Sequence, residues 1–204
     1  MSVLVKICGI TRAGDALLAE QLGAFAVGFV FFRGSSRFIE PEAAGDISRR
    51  LGPRIERIGV FVDEDPRVVR AAVRIAGLTA VQLHGSESPL YIRALDGITV
   101  IKAFHVGGDF EPRVLADWPR GRFLLDTAVK GLHGGTGHAF DWQLAAPCRP
   151  FGDIIIAGGL TAGNVREAVG IAEPWGVDVS GGVESSPGIK DETKLRAFFD
   201  ALRR

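Results

Sequence analysis

An alternation constrains this chain more than any other feature. Eight short runs rich in Val, Ile, Leu and Phe fall at residues 3–7, 25–31, 58–62, 80–83, 99–104, 123–125, 154–157 and 177–179. The runs lack strict polar alternation, which suits strands covered on both faces, as in a parallel sheet. Between them, 13–22, 41–51, 66–76, 89–95, 161–171 and 191–202 read as helices, with weaker patterns at 111–118 and 141–146. Pro41, Pro66 and Pro89 open three of these helices, where the missing N–H would be unpaired anyway. Gly23, Gly52, Gly77 and Gly97 follow helix ends, where a left-handed residue closes the last turn. Thr161 is placed to cap the seventh helix. Asp191 and Glu192 early, with Arg203 and Arg204 late, match the dipole of the last.

Spread over eight units, 204 residues leave about 25 for each strand and helix, the compact end for a βα unit. Neither a Pro/Ser-rich linker nor a charge block nor a composition step divides the chain. The expectation is one α/β domain over residues 1–204, a single (β/α)8 TIM barrel. A doubly wound open sheet is the alternative, with fewer strands. Hydrophobic residues make up 47% of the chain, enough apolar surface to offset the ordering entropy and exclude disorder as the main state. Lys and Arg number 24 against 24 Asp and Glu, without the basic footprint of a nucleic-acid binder. The longest apolar stretch, residues 22–32, is well short of the ~20 needed to span a bilayer. Two cysteines make no disulfide framework, and no signal peptide is visible, so a reducing cytoplasm is the expected location.

In a βα barrel, chemistry sits at the C-terminal strand ends and the loops after them. Cys8 ends the first strand beside Lys6 and ahead of a helix; it is either a small buried hydrophobe or a thiol with a lowered pKa. Asp126 ends the sixth strand as a cap, an ion-pair partner or a general acid. Together a thiol and a carboxyl can form an acid–base pair across a barrel mouth. The 27 glycines are nearly twice the usual share of about 7%. They cluster at 134–137, at Gly158 and Gly159, and at Gly181 and Gly182. They are turn glycines, or they bring backbone amides to a phosphate after strands seven and eight, with Ser180 adding a hydroxyl. Arg37 is either a solvated side chain or a bidentate partner for a carboxylate. His84 is a polar wall or a structural histidine. The histidines show no HExxH or Cys pairing, so no metal is expected. No Walker motif or dinucleotide fingerprint is present.

Taken in order, these residues resemble the phosphoribosylanthranilate isomerase family over nearly the whole chain. The resemblance is carried by Lys6-Ile7-Cys8-Gly9-Ile10-Thr11, Val81-Gln82-Leu83-His84-Gly85 with Glu87, Asp126, Gly134-Gly135-Thr136-Gly137, Ala157-Gly158-Gly159-Leu160 with Asn164, Asp178-Val179-Ser180-Gly181-Gly182-Val183-Glu184, and Pro187-Gly188 with Lys190 and Asp191. One departure is Ser35-Ser36-Arg37, where the family often has Ser-Pro-Arg; a looser loop is expected. The resemblance implies an aldose–ketose (Amadori) isomerase of tryptophan biosynthesis, working without cofactor or metal. It implies Cys8 as general base, Asp126 as general acid, Arg37 on the anthranilate carboxylate, and His84, Gly158, Gly159, Asp178, Ser180, Gly181 and Gly182 as substrate-binding residues. The partner implied is the small-molecule substrate, with no nucleic acid or membrane; monomer and homodimer both stay open. The related histidine-pathway aminoaldose isomerase has Asp where this chain has Cys8. A barrel that binds a phosphosugar without turning it over would lack Cys8 or Asp126. A thiol enzyme with Cys8 as covalent nucleophile would need a His base beside it.

Overall fold

The structure, a computed structural model, describes residues 3–127 and 141–203. Eight parallel strands close into a barrel in sequence order: β1 (Leu4–Ile7), β2 (Ala26–Val30), β3 (Glu56–Phe61), β4 (Ala80–Leu83), β5 (Thr99–Val106), β6 (Gly121–Thr127), β7 (Gly152–Ile156) and β8 (Gly176–Val179). The first and last strands close the ring in register from Leu4 opposite Gly176 to Ile7 opposite Val179. The expected barrel is the observed one.

Among the described residues, five α-helices lie outside it: α1 (Ala13–Leu22), α2 (Pro41–Ser48), α3 (Pro66–Ala76), α4 (Val165–Ala172) and α5 (Glu192–Arg203). Pro opens α2 and α3, and left-handed Gly23 and Gly77 close α1 and α3. Three expected helices are instead 3-10 segments, at Pro89–Leu95, Pro112–Asp117 and Trp142–Phe151. The last contains Pro147 and Pro150, which lack the N–H groups an α-helix needs. Helix α2 stops at Ser48, short of Leu51, because Arg50 and Leu51 turn back onto the carbonyls of Ile47 and Ser48. Thr161 does not cap α4. Its hydroxyl accepts from the Gly163 amide at 3.2 Å, and the helix starts at Val165 with Asn164 in the cap position. Asp191 precedes α5 and accepts from the Lys194 amide at 3.0 Å. A short hairpin missing from the sequence expectation, β9 (Glu184–Ser186) and β10 (Ile189–Lys190), follows β8.

Two apolar layers follow from strand alternation. Outward side chains meet the helices in the main core, where Phe198 and Phe199 are buried. Inward side chains fill the barrel with Ala26, Ile58, Ala80, Ile101, Ala103, Leu124, Ile155 and Ala157. One layer higher the inward positions turn polar, and the site begins there.

Candidate active site

Alternation puts Cys8, Val30 and Val60 above the apolar plug, and Gln82, His84, Asp126 and Asp178 beside a cavity of about 350 Å³. All ten residues singled out from sequence border that one cavity: Cys8, Arg37, His84, Asp126, Gly158, Gly159, Asp178, Ser180, Gly181 and Gly182. The glycine cluster at 134–137 lies outside the described residues.

Cys8 sits on a charged floor. Lys6, two residues earlier on the same face, is fully buried and bonds Asp178 at 2.9 Å. Leaving either charge alone in such a place costs about 3–5 kcal/mol. Burial pulls the Lys6 pKa down, but the charges of Asp178 and Cys8 outweigh it and raise it above the ordinary value. A Cβ on Gly28 would lie 2.9 Å from Cys8 Sγ and 3.1 Å from Lys6 Nζ, so glycine on β2 makes the room that both need. Of the two readings open from sequence, the surroundings of Cys8 do not favour the lowered pKa. Burial pushes Cys8 up, and the nearby ammonium groups of Lys6 and Lys190 only partly oppose it. A thiolate formed here is a stronger base present in a smaller fraction. Alkylation of Cys8 by a neutral reagent, which reads the thiolate alone, should therefore keep climbing with pH through the ordinary thiol value of 9.0 and beyond. An alkylation rate that levels off below that value would contradict this.

Asp126 is buried at the end of β6. Its Oδ1 accepts from the Thr127 amide at 2.9 Å, and its Oδ2 lies 3.3 Å from His84 Nε2. That second contact is a close approach off the line of a hydrogen bond, since Nε2 has no bonded partner among the described residues. Gln82 Nε2 contacts His84 Nδ1 at 2.8 Å. With the amide assigned that way round, Gln82 donates and Nδ1 accepts. His84, between a polar wall and a structural histidine on sequence grounds, lines the cavity beside the carboxyl. His105 on β5 was not singled out from sequence as a site residue. Registered opposite Asp126, it joins His84 and Asp126 in a trio whose ligating atoms lie within 4.8 Å of one another. Motif spacing cannot reveal such a trio, because three strands supply it.

Arg37 stands at the rim, and its guanidinium is already engaged. Nε and Nη2 grip Glu184 at 2.9 and 2.7 Å. The loop holding it is tied locally: Ser35 Oγ accepts from the Arg37 amide at 3.1 Å, and Ser35 O accepts from the Phe38 amide at 3.1 Å. That turn supplies restraint where the family often has proline.

Gly158 and Gly159 both adopt left-handed φ, +83° and +65°. A Cβ on Gly158 would fall 2.2 Å from Thr127 Oγ1. Asn164 Nδ2 donates to Gly159 O at 2.9 Å and fixes the turn ahead of α4. The loop after β8 packs still closer: a Cβ on Gly182 would lie 1.8 Å from Leu160 O. The clash is with backbone, so Gly182→Ala must push the two loops apart. Its expected effect is a rise of ~10-fold or more in KM for a phosphorylated substrate, about 1.4 kcal/mol, with kcat less affected. Unchanged inhibition by inorganic phosphate in that variant would argue against an anion cradle here.

A closed (β/α)8 barrel whose mouth presents a thiol, a carboxyl and two glycine-built turns defines a barrel enzyme equipped for proton transfer on a small phosphorylated molecule. Known proteins narrow the class. The family model for N-(5'-phosphoribosyl)anthranilate (PRA) isomerase matches residues 5–201. An isomerase of that name from Geobacter sp. (strain M21) is 48% identical over 200 residues, 98% of each chain. The phosphoribosyl anthranilate isomerase of Thermus thermophilus superposes with a TM-score of 0.91 at 43% identity, covering 98% of each chain. A solved complex of such an isomerase with reduced 1-(o-carboxyphenylamino)-1-deoxyribulose 5-phosphate gives a TM-score of 0.87 at 41% identity, again over 98% of each. The chain belongs to the N-(5'-phosphoribosyl)anthranilate isomerase family.

Proposed function

We propose that this chain isomerises N-(5'-phosphoribosyl)anthranilate to 1-(2-carboxyphenylamino)-1-deoxyribulose 5-phosphate in tryptophan biosynthesis, with Asp126 as general acid and Cys8 as general base. The observation that carries the reading is the placing of both groups in the lining of one cavity, three strands apart around the ring. The Asp126 carboxyl gives its proton to the ribose ring oxygen, the C1–O bond breaks, and the anthranilate nitrogen lone pair forms the C1=N iminium. The Cys8 thiolate then takes the C2 proton, and the C–H electron pair becomes the C1=C2 bond of an enolamine. Moving the hydroxyl proton from O2 to C1 gives the ketone. The substrate's own iminium is the electron sink, so the residues here suffice without a cofactor or metal. Each well-positioned proton transfer is worth about 10²–10⁴-fold.

The amides of Gly158, Gly159, Gly181 and Gly182, with the Ser180 hydroxyl, hold the phosphate. Arg37 takes the anthranilate carboxylate, while His84 and Asp178 wall the ribose. The whole of residues 1–204 is one catalytic domain in this reading, and cytoplasm is its expected location; among the described residues no helix is long and apolar enough to cross a membrane. A Thermotoga maritima relative is described as dimeric.

Purified protein should abolish the fluorescence of freshly made phosphoribosylanthranilate and leave the histidine-pathway aminoaldose substrate unchanged. The reverse preference would hand the site to the sister reaction, and binding without fluorescence loss would make the barrel a sensor.

A further inference from the structure

Glu184 is the most heavily engaged acid in the site, and the chemistry above leaves it without a task. It is buried at the start of β9 and bonds Arg37 through Nε and Nη2, Lys190 Nζ at 2.8 Å and the Gly188 amide at 3.2 Å, with Ser180 Oγ at 3.4 Å. Burial alone would raise its pKa, yet Arg37 and Lys190 hold it below the ordinary carboxylate value. The bond to Glu184 in turn raises the Arg37 pKa, so both members stay charged.

A guanidinium has two edges that match a carboxylate: Nε with Nη2, and Nη1 with Nη2. Glu184 occupies the first. The second edge is the one left for a ligand. Pairing with Glu184 offsets the Arg37 charge, and Lys190, its side chain fully buried against Glu184, adds a second cation to the cluster although burial pulls its pKa below the ordinary value. Lys190 Nζ also donates to the carbonyl of Cys8, linking this trio to the backbone that carries the thiol.

We infer that Glu184, backed by Lys190, is a positioning residue for substrate specificity: it locks Arg37 so that the Nη1/Nη2 edge faces the cavity and selects ligands bearing an aryl carboxylate. This rests on the reading of Arg37 as the carboxylate anchor. Fixing a long side chain beforehand removes the ordering entropy that binding would otherwise incur.

The test compares two ligands: the reduced carboxyphenylamino product, and its phenylamino counterpart lacking only the carboxyl group. Wild-type protein should prefer the first by about 10- to 100-fold, the range for a bidentate charge-assisted contact. Glu184→Gln should lose most of that preference, with KM rising more than kcat falls, while the carboxyl-free ligand binds as before. Glu184→Asp, which keeps the charge on a shorter arm, should retain part of it; it also serves as the readout if the Gln variant does not fold. Wild-type protein without any preference would overturn the Arg37 reading itself. A wild-type preference that survives intact in the Glu184 variants would overturn the inference alone. Equal weakening of both ligands would mark Glu184 as a general structural prop and also refute it.

Discussion

Asp126→Asn should bind the reduced product nearly as tightly as the wild type and turn substrate over about 10²–10⁴-fold more slowly. The substitution is isosteric, and an amide oxygen can still accept from the Thr127 amide. Packing around Gly158, whose Cβ would lie 2.9 Å from Asp126 Oδ1, is equally undisturbed. An amide cannot release a proton to the ribose ring oxygen, so ring opening loses its acid. His84, 3.3 Å away, is the natural substitute donor. Adding His84→Gln to Asp126→Asn should therefore lower the residual rate further. Steady-state kcat beside a binding titration separates the two effects. Near-normal kcat in Asp126→Asn would remove Asp126 from the chemistry.

Cys8→Ala should cost a comparable factor in kcat and little in affinity, because removing a base from a cavity wall leaves the phosphate and carboxylate contacts alone. Cys8→Ser should be nearly as slow, since a hydroxyl beside Lys6 is still far from ionised. Cys8→Asp restores a base and should regain activity, with its rate limb moved to the acid side of the wild-type limb. The sign follows from burial, which places the thiol above its ordinary value, whereas a carboxylate starts far below it. Mass spectrometry after turnover should find no substrate adduct on Cys8, because in the proposed reaction the thiolate takes a proton and forms no bond to carbon.

How much of this was legible in the sequence depended on the distance over which a residue's role is set. Strand runs and the Pro and Gly marks at helix ends are local, and they located the barrel. The patterns at 89–95, 111–118 and 141–146 are just as local, yet they read as helices, the last two weakly, because apolar spacing alone does not distinguish a few 3-10 turns from an α-helix. Cys8, His84 and Asp126 were legible as strand-end residues of a barrel. The charges that govern them were not. Lys6 and Asp178 are 172 residues apart, and Arg37 and Glu184 are 147 apart; only closure of the first strand against the last makes them neighbours. A signal was present even so. Lys6 interrupts a run covered on both faces, and a cation in such a strand must find an acid. The thiol pKa stayed open from sequence for the same reason: flanking Lys is visible there, burial depth is not.

Substrate carrying deuterium at C2 of the ribose tests the proton transfer to Cys8 most directly. In single turnovers the wild-type enzyme is expected to process it more slowly than the protium form and to release the label to solvent, and Cys8→Ala is expected to be slow with either isotope. Turnover of both isotopic forms by Cys8→Ala at the wild-type rate would contradict the assignment of Cys8 as the base.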